Sequence, residues 1–273
     1  MEAYSDFAYI YDELMDNTPY SEWCRLLDSL IGEYGVSKKI DRNVELEDHE
    51  YTHEEILESE KNLVLDLGCG TGTLTEMMYK LGYDMIGVDY SSQMLEIAQN
   101  KRAESGSEIL YLNQDMRELD MYSTVGTVFS VCDSVNYLLE DKEVVATFSL
   151  VNKFLYPCGI FIFDFNTVHK YQDVIGDSTI AESRDDCAFI WDNYYDEESH
   201  INEYDLSIFI KNKEPDEFRR VVETHYQRGY SLDEMLELVR KSGLEPVKVF
   251  DAESYEEPDE ESERIFVVAR KGN

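Results

Sequence analysis

The stretch Val64-Leu65-Asp66-Leu67-Gly68-Cys69-Gly70-Thr71-Gly72 limits what this chain can fold into more than any other. A short apolar run closed by an acid reads as a strand buried on both faces, and glycines at alternate positions after it supply a tight turn. Helix-type spacing follows over residues 73–80. Strand, glycine turn and helix in that order open a βαβ unit. In an open α/β sheet such a turn lies at the carboxyl end of the first strand, where ligands bind.

The alternation continues. Residues 84–88 read as a strand closed by Asp89, and Ser91 or Ser92 can cap a helix carrying Met94, Leu95, Ile97 and Ala98. Strands are expected at 109–112 and 127–131, a helix over 144–155 stopping before Pro157, and a strand at 159–163 ending at Asp164. Such units imply a parallel sheet with right-handed crossovers. Upstream, residues 4–34 read as one or two helices with Trp23, Leu26, Leu27, Leu30 and Ile31 on one face, and acids accumulate over 36–61 around a short helix near 53–59. Downstream, β-type runs at 187–195, 200–211 and 218–228 suggest an antiparallel meander. Ser231 with Glu234 then starts a helix that Gly243 stops. Two last strands, near 247–250 and 264–269, bracket an acidic stretch read as a solvated loop. The expected divisions are 1–35 helical, 36–61 surface insertion, 62–165 ligand-binding core, 166–229 antiparallel insertion, and 230–273 return to the core.

The turn's chemistry narrows the ligand. Its glycines are spaced G-x-G-x-G, not the G-x-G-x-x-G of dinucleotide-binding domains, and Asp66 stands two positions before the first. A carboxylate repels a pyrophosphate and attracts an ammonium or sulfonium ion. Asp89 ends the second strand, where an acid can accept from both ribose hydroxyls. Tyr90 and Met94 are placed to lie against an adenine face, and Gln114-Asp115-Met116 follows the third strand, where a carboxylate could take the adenine amino group. Three acids at three successive strand ends suit a positively charged, phosphate-free nucleoside.

Composition weighs against other partners. The 273 residues carry 24 Lys and Arg against 59 Asp and Glu, a formal charge of −35, which argues against nucleic acid or an anionic membrane surface. The longest apolar stretches are too short to span a bilayer. The five cysteines are scattered without metal-ligand spacing and read as reduced thiols, so a cytoplasmic protein with no bound metal is expected. No signature sets an oligomeric state.

Asp66 to Gly72, Asp89-Tyr90-Ser91 with Met94-Leu95, and Asp115-Met116 together resemble the successive motifs of class I (Rossmann-like) S-adenosylmethionine-dependent methyltransferases, over about residues 62–165. Tyr4-x-x-Phe7-Ala8-x-x-Tyr11-Asp12-x-Leu14-Met15 and His225-Tyr226-Gln227-Arg228 resemble a bacterial small-molecule-type subgroup of that class. The resemblance implies a doubly wound α/β fold with a seven-stranded, mostly parallel sheet whose last strand is antiparallel, under a lid of N-terminal helices and meander. It implies S-adenosylmethionine as cofactor, with Asp66, Gly68, Cys69, Gly70 and Gly72 at the methionine moiety, Asp89 at the ribose, and Asp115 with Met116 at the adenine. Cys132 and Asp133 fall beside the transferring methyl.

The implied reaction is an in-line methyl transfer to a small-molecule or protein acceptor, needing a general base only if the acceptor loses a proton. Asp133, His225 and Tyr11 are the catalytic candidates. Each has a structural alternative: Asp133 as a cap, His225 as a core histidine, Tyr11 as helix packing beside Tyr20 and Trp23. Rival functions are a noncatalytic S-adenosylmethionine-binding interaction protein and an RNA-modifying transferase of the same fold, the latter opposed by the charge. An NAD-dependent oxidoreductase is opposed by the glycine spacing and Asp66.

Overall fold

The computed structural model describes residues 8–41, 52–212 and 217–272; Tyr4, Phe7 and residues 42–51 of the acidic stretch fall outside that range. Helices α1 (Ala8–Leu14) and α2 (Tyr20–Tyr34) precede α3 (His53–Asn62). Thr52 begins α3 with a reciprocal cap: its hydroxyl accepts from the Glu55 amide, and the Glu55 carboxylate accepts from the Thr52 amide. The helix expected near 53–59 therefore runs on to the first strand.

Then β1 (Leu63–Leu67), α4 (Thr73–Lys80), β2 (Asp84–Asp89), α5 (Ser92–Ser105), β3 (Leu110–Asn113), β4 (Val125–Ser130), α6 (Asp141–Phe154) and β5 (Leu155–Asn166) alternate. β1 pairs in parallel with β2 and β4, β2 with β3, and β4 with β5. A π-type turn, Lys170–Ile175, leads to a separate antiparallel sheet of β6 (Thr179–Ser183), β7 (Cys187–Asp196), β8 (Ile201–Lys211) and β9 (Phe218–Arg228). After α7 (Leu232–Lys241), β10 (Leu244–Asp251) and β11 (Arg264–Lys271) complete the first sheet in the order β10-β11-β5-β4-β1-β2-β3. β11 is antiparallel to both neighbours. The fold is thus the doubly wound α/β arrangement anticipated, with a seven-stranded, mostly parallel sheet.

Two elements differ from expectation. β5 starts at Leu155, not 159, because Pro157 sits where it has no ladder bond to give: the register jumps from Val125↔Leu155 to Thr127↔Ile160, and Cys158 takes φ 65. β6 adds a fourth strand to the meander. It is an exposed edge without hydrophobic alternation, so it carries no periodic signal.

Alternation along the buried strands splits the core in two. Leu65, Val128, Phe161 and Phe163 face α6 and α7, where Phe148 meets Phe161 and Phe163 at 5.1 and 4.9 Å between ring centroids. Val64, Met85, Phe129, Ile160 and Ile162 face α2, α4 and α5 through Leu27, Ile31, Met78 and Leu95. A third cluster joins Ile10 of α1 to Cys187, Leu206 and Ile208, laying α1 on the second sheet. No helix among the described residues is long and apolar enough to cross a membrane.

Candidate active site

The glycine turn is built as its sequence requires. Gly68, Gly70 and Gly72 take φ 84, 53 and 73, the left-handed region that a side chain disfavours. The amides of Gly68 and Cys69 both donate to the Val88 carbonyl, at 2.8 and 3.0 Å, folding the turn back over β2. A Cβ on Gly68 would stand 2.8 Å from the Ser134 hydroxyl. A cavity of about 290 Å³ opens above this turn, lined by Tyr11, Asp66, Gly68, Cys69, Gly70, Asp89, Tyr90, Met94, Asp115, Met116 and Cys132 together with Tyr20, Arg117 and Tyr137.

Three carboxylates face it in different states. Asp66 is only 3% exposed and accepts from the Thr75 hydroxyl at 2.6 Å; burial, reinforced by the nearby Asp89 charge, pushes its pKa up to about 7 against that hydrogen bond. Asp89 accepts from the amides of Gly70 and Ser91, both at 2.8 Å, and burial still raises its pKa. Asp115 is gripped by Arg117 at 2.6 Å, which holds its carboxyl below the usual range. Arg117, which the sequence reading passed over, is also bound to Glu143 at 2.8 Å. The cation lining the cavity is therefore already neutralised by two acids.

The thiols there are not thiolates. Burial drives Cys69 well above its ordinary value and Cys132 up to about 12, with the Asp133 charge adding to the latter. Cys132 and Asp133 take φ 66 and 54 in succession, a strained bend that turns the chain at the end of β4.

That bend divides the first cavity from a second of about 810 Å³ between the two sheets. Tyr11, Cys132 and Tyr137 line both, and the Tyr11 hydroxyl lies 4.0 Å from the Cys132 sulfur. Asp133 lines the larger cavity, accepting from Arg264 and from Gln227, each at 2.7 Å. Arg264 also pairs with Asp164, whose carboxyl burial raises. Trp191, Tyr204 and Leu206 supply the wall from the second sheet, and Asp251, Glu253, Glu257, Asp259, Glu261 and Glu263 the mouth.

Most residues singled out from the sequence meet at the smaller cavity. Gly72 stands outside its lining as the cap of α4, where Ala98 and the Tyr111 phenol crowd its missing side chain. His225 lines neither cavity; it is buried on β9 behind Tyr137 and Tyr204. Tyr20, read as helix packing, lines the smaller cavity, and Arg117, Tyr137 and Tyr204 were missed. Arg117 and Tyr137 follow flagged acids by two and four positions, and only the short turns at Met116–Glu118 and Ser134–Tyr137 bring them round.

Acids at the tips of β1 and β2 and beyond β3, on a seven-stranded sheet with one antiparallel strand, define the class I methyltransferase architecture. The methyltransferase domain family matches residues 64–159. The methyltransferase-family protein YqeM of Bacillus subtilis (strain 168) is 32% identical over 269 residues, covering 98% of this chain and 97% of YqeM. A protein of the same family from Geobacillus sp. (strain WCH70) is 31% identical over 269 residues, 98% of this chain and 100% of that one. A solved S-adenosylmethionine-dependent methyltransferase from Clostridium acetobutylicum ATCC 824 has the same fold, with a TM-score of 0.81 at 24% identity over the full length of both chains. The chain belongs to the S-adenosylmethionine-dependent methyltransferases, and S-adenosylmethionine is its cofactor.

Proposed function

We propose that the smaller cavity holds S-adenosylmethionine and that a small-molecule acceptor occupies the larger one, meeting it across Tyr11, Cys132 and Tyr137. The observation that carries this is the carboxylate set around the glycine turn. Asp66 is buried with one hydroxyl donor, a state that an ammonium group relieves and a phosphate worsens. Asp89 uses one lone pair on each oxygen for backbone amides, which leaves each oxygen able to accept a ribose hydroxyl. Met94 and Met116 offer apolar faces to the adenine, Tyr90 covers the rim, and Asp115 accepts from the amino group. When bound, the cofactor supplies a methyl group on a sulfonium, a leaving group that needs no proton.

The chain's task is then alignment and exclusion of water, effects that reach roughly 7 to 11 kcal/mol in favourable systems. α1 roofs the junction through Tyr11, and the strained bend at Cys132-Asp133 sets its floor. Asp133 is engaged by Arg264 and Gln227, which suits it to shaping the acceptor pocket more than to taking a proton. A mouth rimmed by six acids opposes the RNA-modifying alternative and favours a neutral or cationic acceptor. Reduced thiols, all five unpaired, fit a cytoplasmic setting.

The test is transfer of labelled methyl from the cofactor to fractionated cell extract. Label should enter a low-molecular-weight fraction with wild-type protein and not with Asp89→Ala. Label only in macromolecules would refute the acceptor reading.

A further inference from the structure

Tyr137 lines both cavities, and its phenolic oxygen sits at the head of a buried chain of titratable groups. It lies 3.1 Å from His225 Nδ1 and 3.0 Å from the Tyr204 hydroxyl, while His225 Nε2 lies 3.3 Å from Glu223 Oε2. The Tyr204 ring stacks on the imidazole at 4.8 Å and 11°, and Tyr137 meets it edge-on at 6.0 Å. His225 and Glu223 are 2% and 4% exposed. Apolar side chains would fill the same space without the desolvation cost of a carboxylate and an imidazole, so packing alone does not account for this row. Its one end is a carboxylate and its other end is the junction of the cavities.

We propose that Tyr137, His225 and Glu223 form a proton relay, and that the acceptor is a protic nucleophile, an amine or a hydroxyl, which gives up its proton through Tyr137. This rests on the two-cavity reading above. The relay requires the imidazole proton on Nε2, the side on which Glu223 Oε2 lies at 3.3 Å outside hydrogen-bond geometry, and the Nδ1 lone pair toward the Tyr137 hydroxyl. As the acceptor nitrogen or oxygen bonds to the methyl carbon, the carbon–sulfur bond breaks and its electron pair stays on sulfur as a neutral thioether. The acceptor's proton passes to Tyr137 Oη while Tyr137's own proton moves to His225 Nδ1. The imidazolium is left facing the Glu223 carboxylate, and the proton leaves by the reverse route once product has gone. Tyr137 is the catalytic residue here; His225 and Glu223 act through it.

Other titratable groups stand beside this row: Tyr11 on α1 packs in the same cluster as Tyr204, Cys132 and Asp133 at the end of β4 and Tyr171 after β5 act on Tyr204 electrostatically, and Lys170 and Arg264 line the larger cavity that Tyr137 also lines. Asp133 is already held by Arg264 and Gln227, and Cys132 is kept neutral by burial.

Two readouts test the relay. In protein labelled with ¹⁵N-histidine, the resting His225 ring should show its proton on Nε2 and not on Nδ1, and Tyr137→Phe should shift its Nδ1 resonance. A proton on Nδ1 would overturn the relay, since that nitrogen could then accept nothing. Single-turnover transfer of label from cofactor-loaded enzyme to the extract fraction that takes it up supplies the second. The wild-type rate should rise with pH and level off, whereas His225→Gln should flatten the profile and lower the rate about 10²- to 10⁴-fold, with cofactor affinity within about twofold. Tyr137→Phe, which keeps the ring packing, should do the same and covers the case in which His225→Gln does not fold. An unchanged pH profile in either folded variant overturns the relay, as does product labelled on carbon or sulfur instead of nitrogen or oxygen. Failure of the wild type to bind S-adenosylmethionine would overturn the cavity reading itself.

Discussion

Asp66 carries the strongest residue-level prediction. Its pKa of about 7 lies above the ordinary carboxylate value, so the ligand-free fold binds more protons than the unfolded chain between about pH 4 and 7. Its contribution to stability is fully present below that window and is lost as pH rises through it, at up to about 1.4 kcal/mol per pH unit. Urea unfolding of ligand-free protein should show that decline, and Asp66→Asn should flatten it. S-adenosylmethionine affinity should move the other way, rising about tenfold per unit from pH 5 to 7, because the ammonium needs an ionised partner. Affinity that ignores pH in this range would place the ammonium elsewhere. Asp66 and Asp89 were legible in the sequence because strand, acid and glycine spacing are local. Tyr137, Tyr204 and Arg117 were not: their roles arise from partners 88, 67 and 26 residues away.

At the scale of elements, α1 has only seven residues, too few to hold a helix by itself, and depends on what it docks against. Asp12 accepts from the hydroxyls of Thr71 and Thr73 at 2.6 and 3.0 Å and pairs with Lys101 at 2.5 Å, tying the helix to the glycine turn and to α5. Arg184, in the turn between β6 and β7, grips its other end through the Glu13 carbonyl and Asp16. The Asp12–Lys101 pair is partly exposed, so its loss should cost no more than about 1 kcal/mol of global stability. Its local effect should be larger: Asp12→Ala should speed S-adenosylmethionine release about tenfold in stopped-flow displacement while shifting the melting temperature little. An unchanged release rate would mean that α1 does not cover the cofactor. Helix spacing made the first helices legible, but nothing in it says which loop Asp12 reaches, since the two threonines lie 59 and 61 residues on. The same limit applied to β6, an exposed edge defined by its neighbour β7 and not by its own pattern.

Across the whole molecule, the formal charge of −35 works against compactness. Raising ionic strength from about 0.01 to 0.15 M shortens the screening length from about 30 to 8 Å. The melting temperature should therefore rise, by about 2–4 °C for each kcal/mol of repulsion relieved; a fall would mean that attractive surface pairs outweigh the self-repulsion. The mostly parallel sheet was legible because alternating strand and helix signals imply βαβ units, whereas the order of its strands and the larger cavity were not, the cavity being made where β4, β5 and β11 meet a second sheet contributed by a distant stretch of chain. Everything functional rests on carboxylates, not phosphate-binding amides, receiving the cofactor. Calorimetric titration of S-adenosylmethionine into wild-type protein and Asp89→Ala addresses that directly. Single-site binding weakened at least about 100-fold in the variant is expected, the equivalent of two hydrogen bonds to a charged acceptor. Equal affinity in the two proteins, or a wild type that prefers a dinucleotide diphosphate, would contradict it.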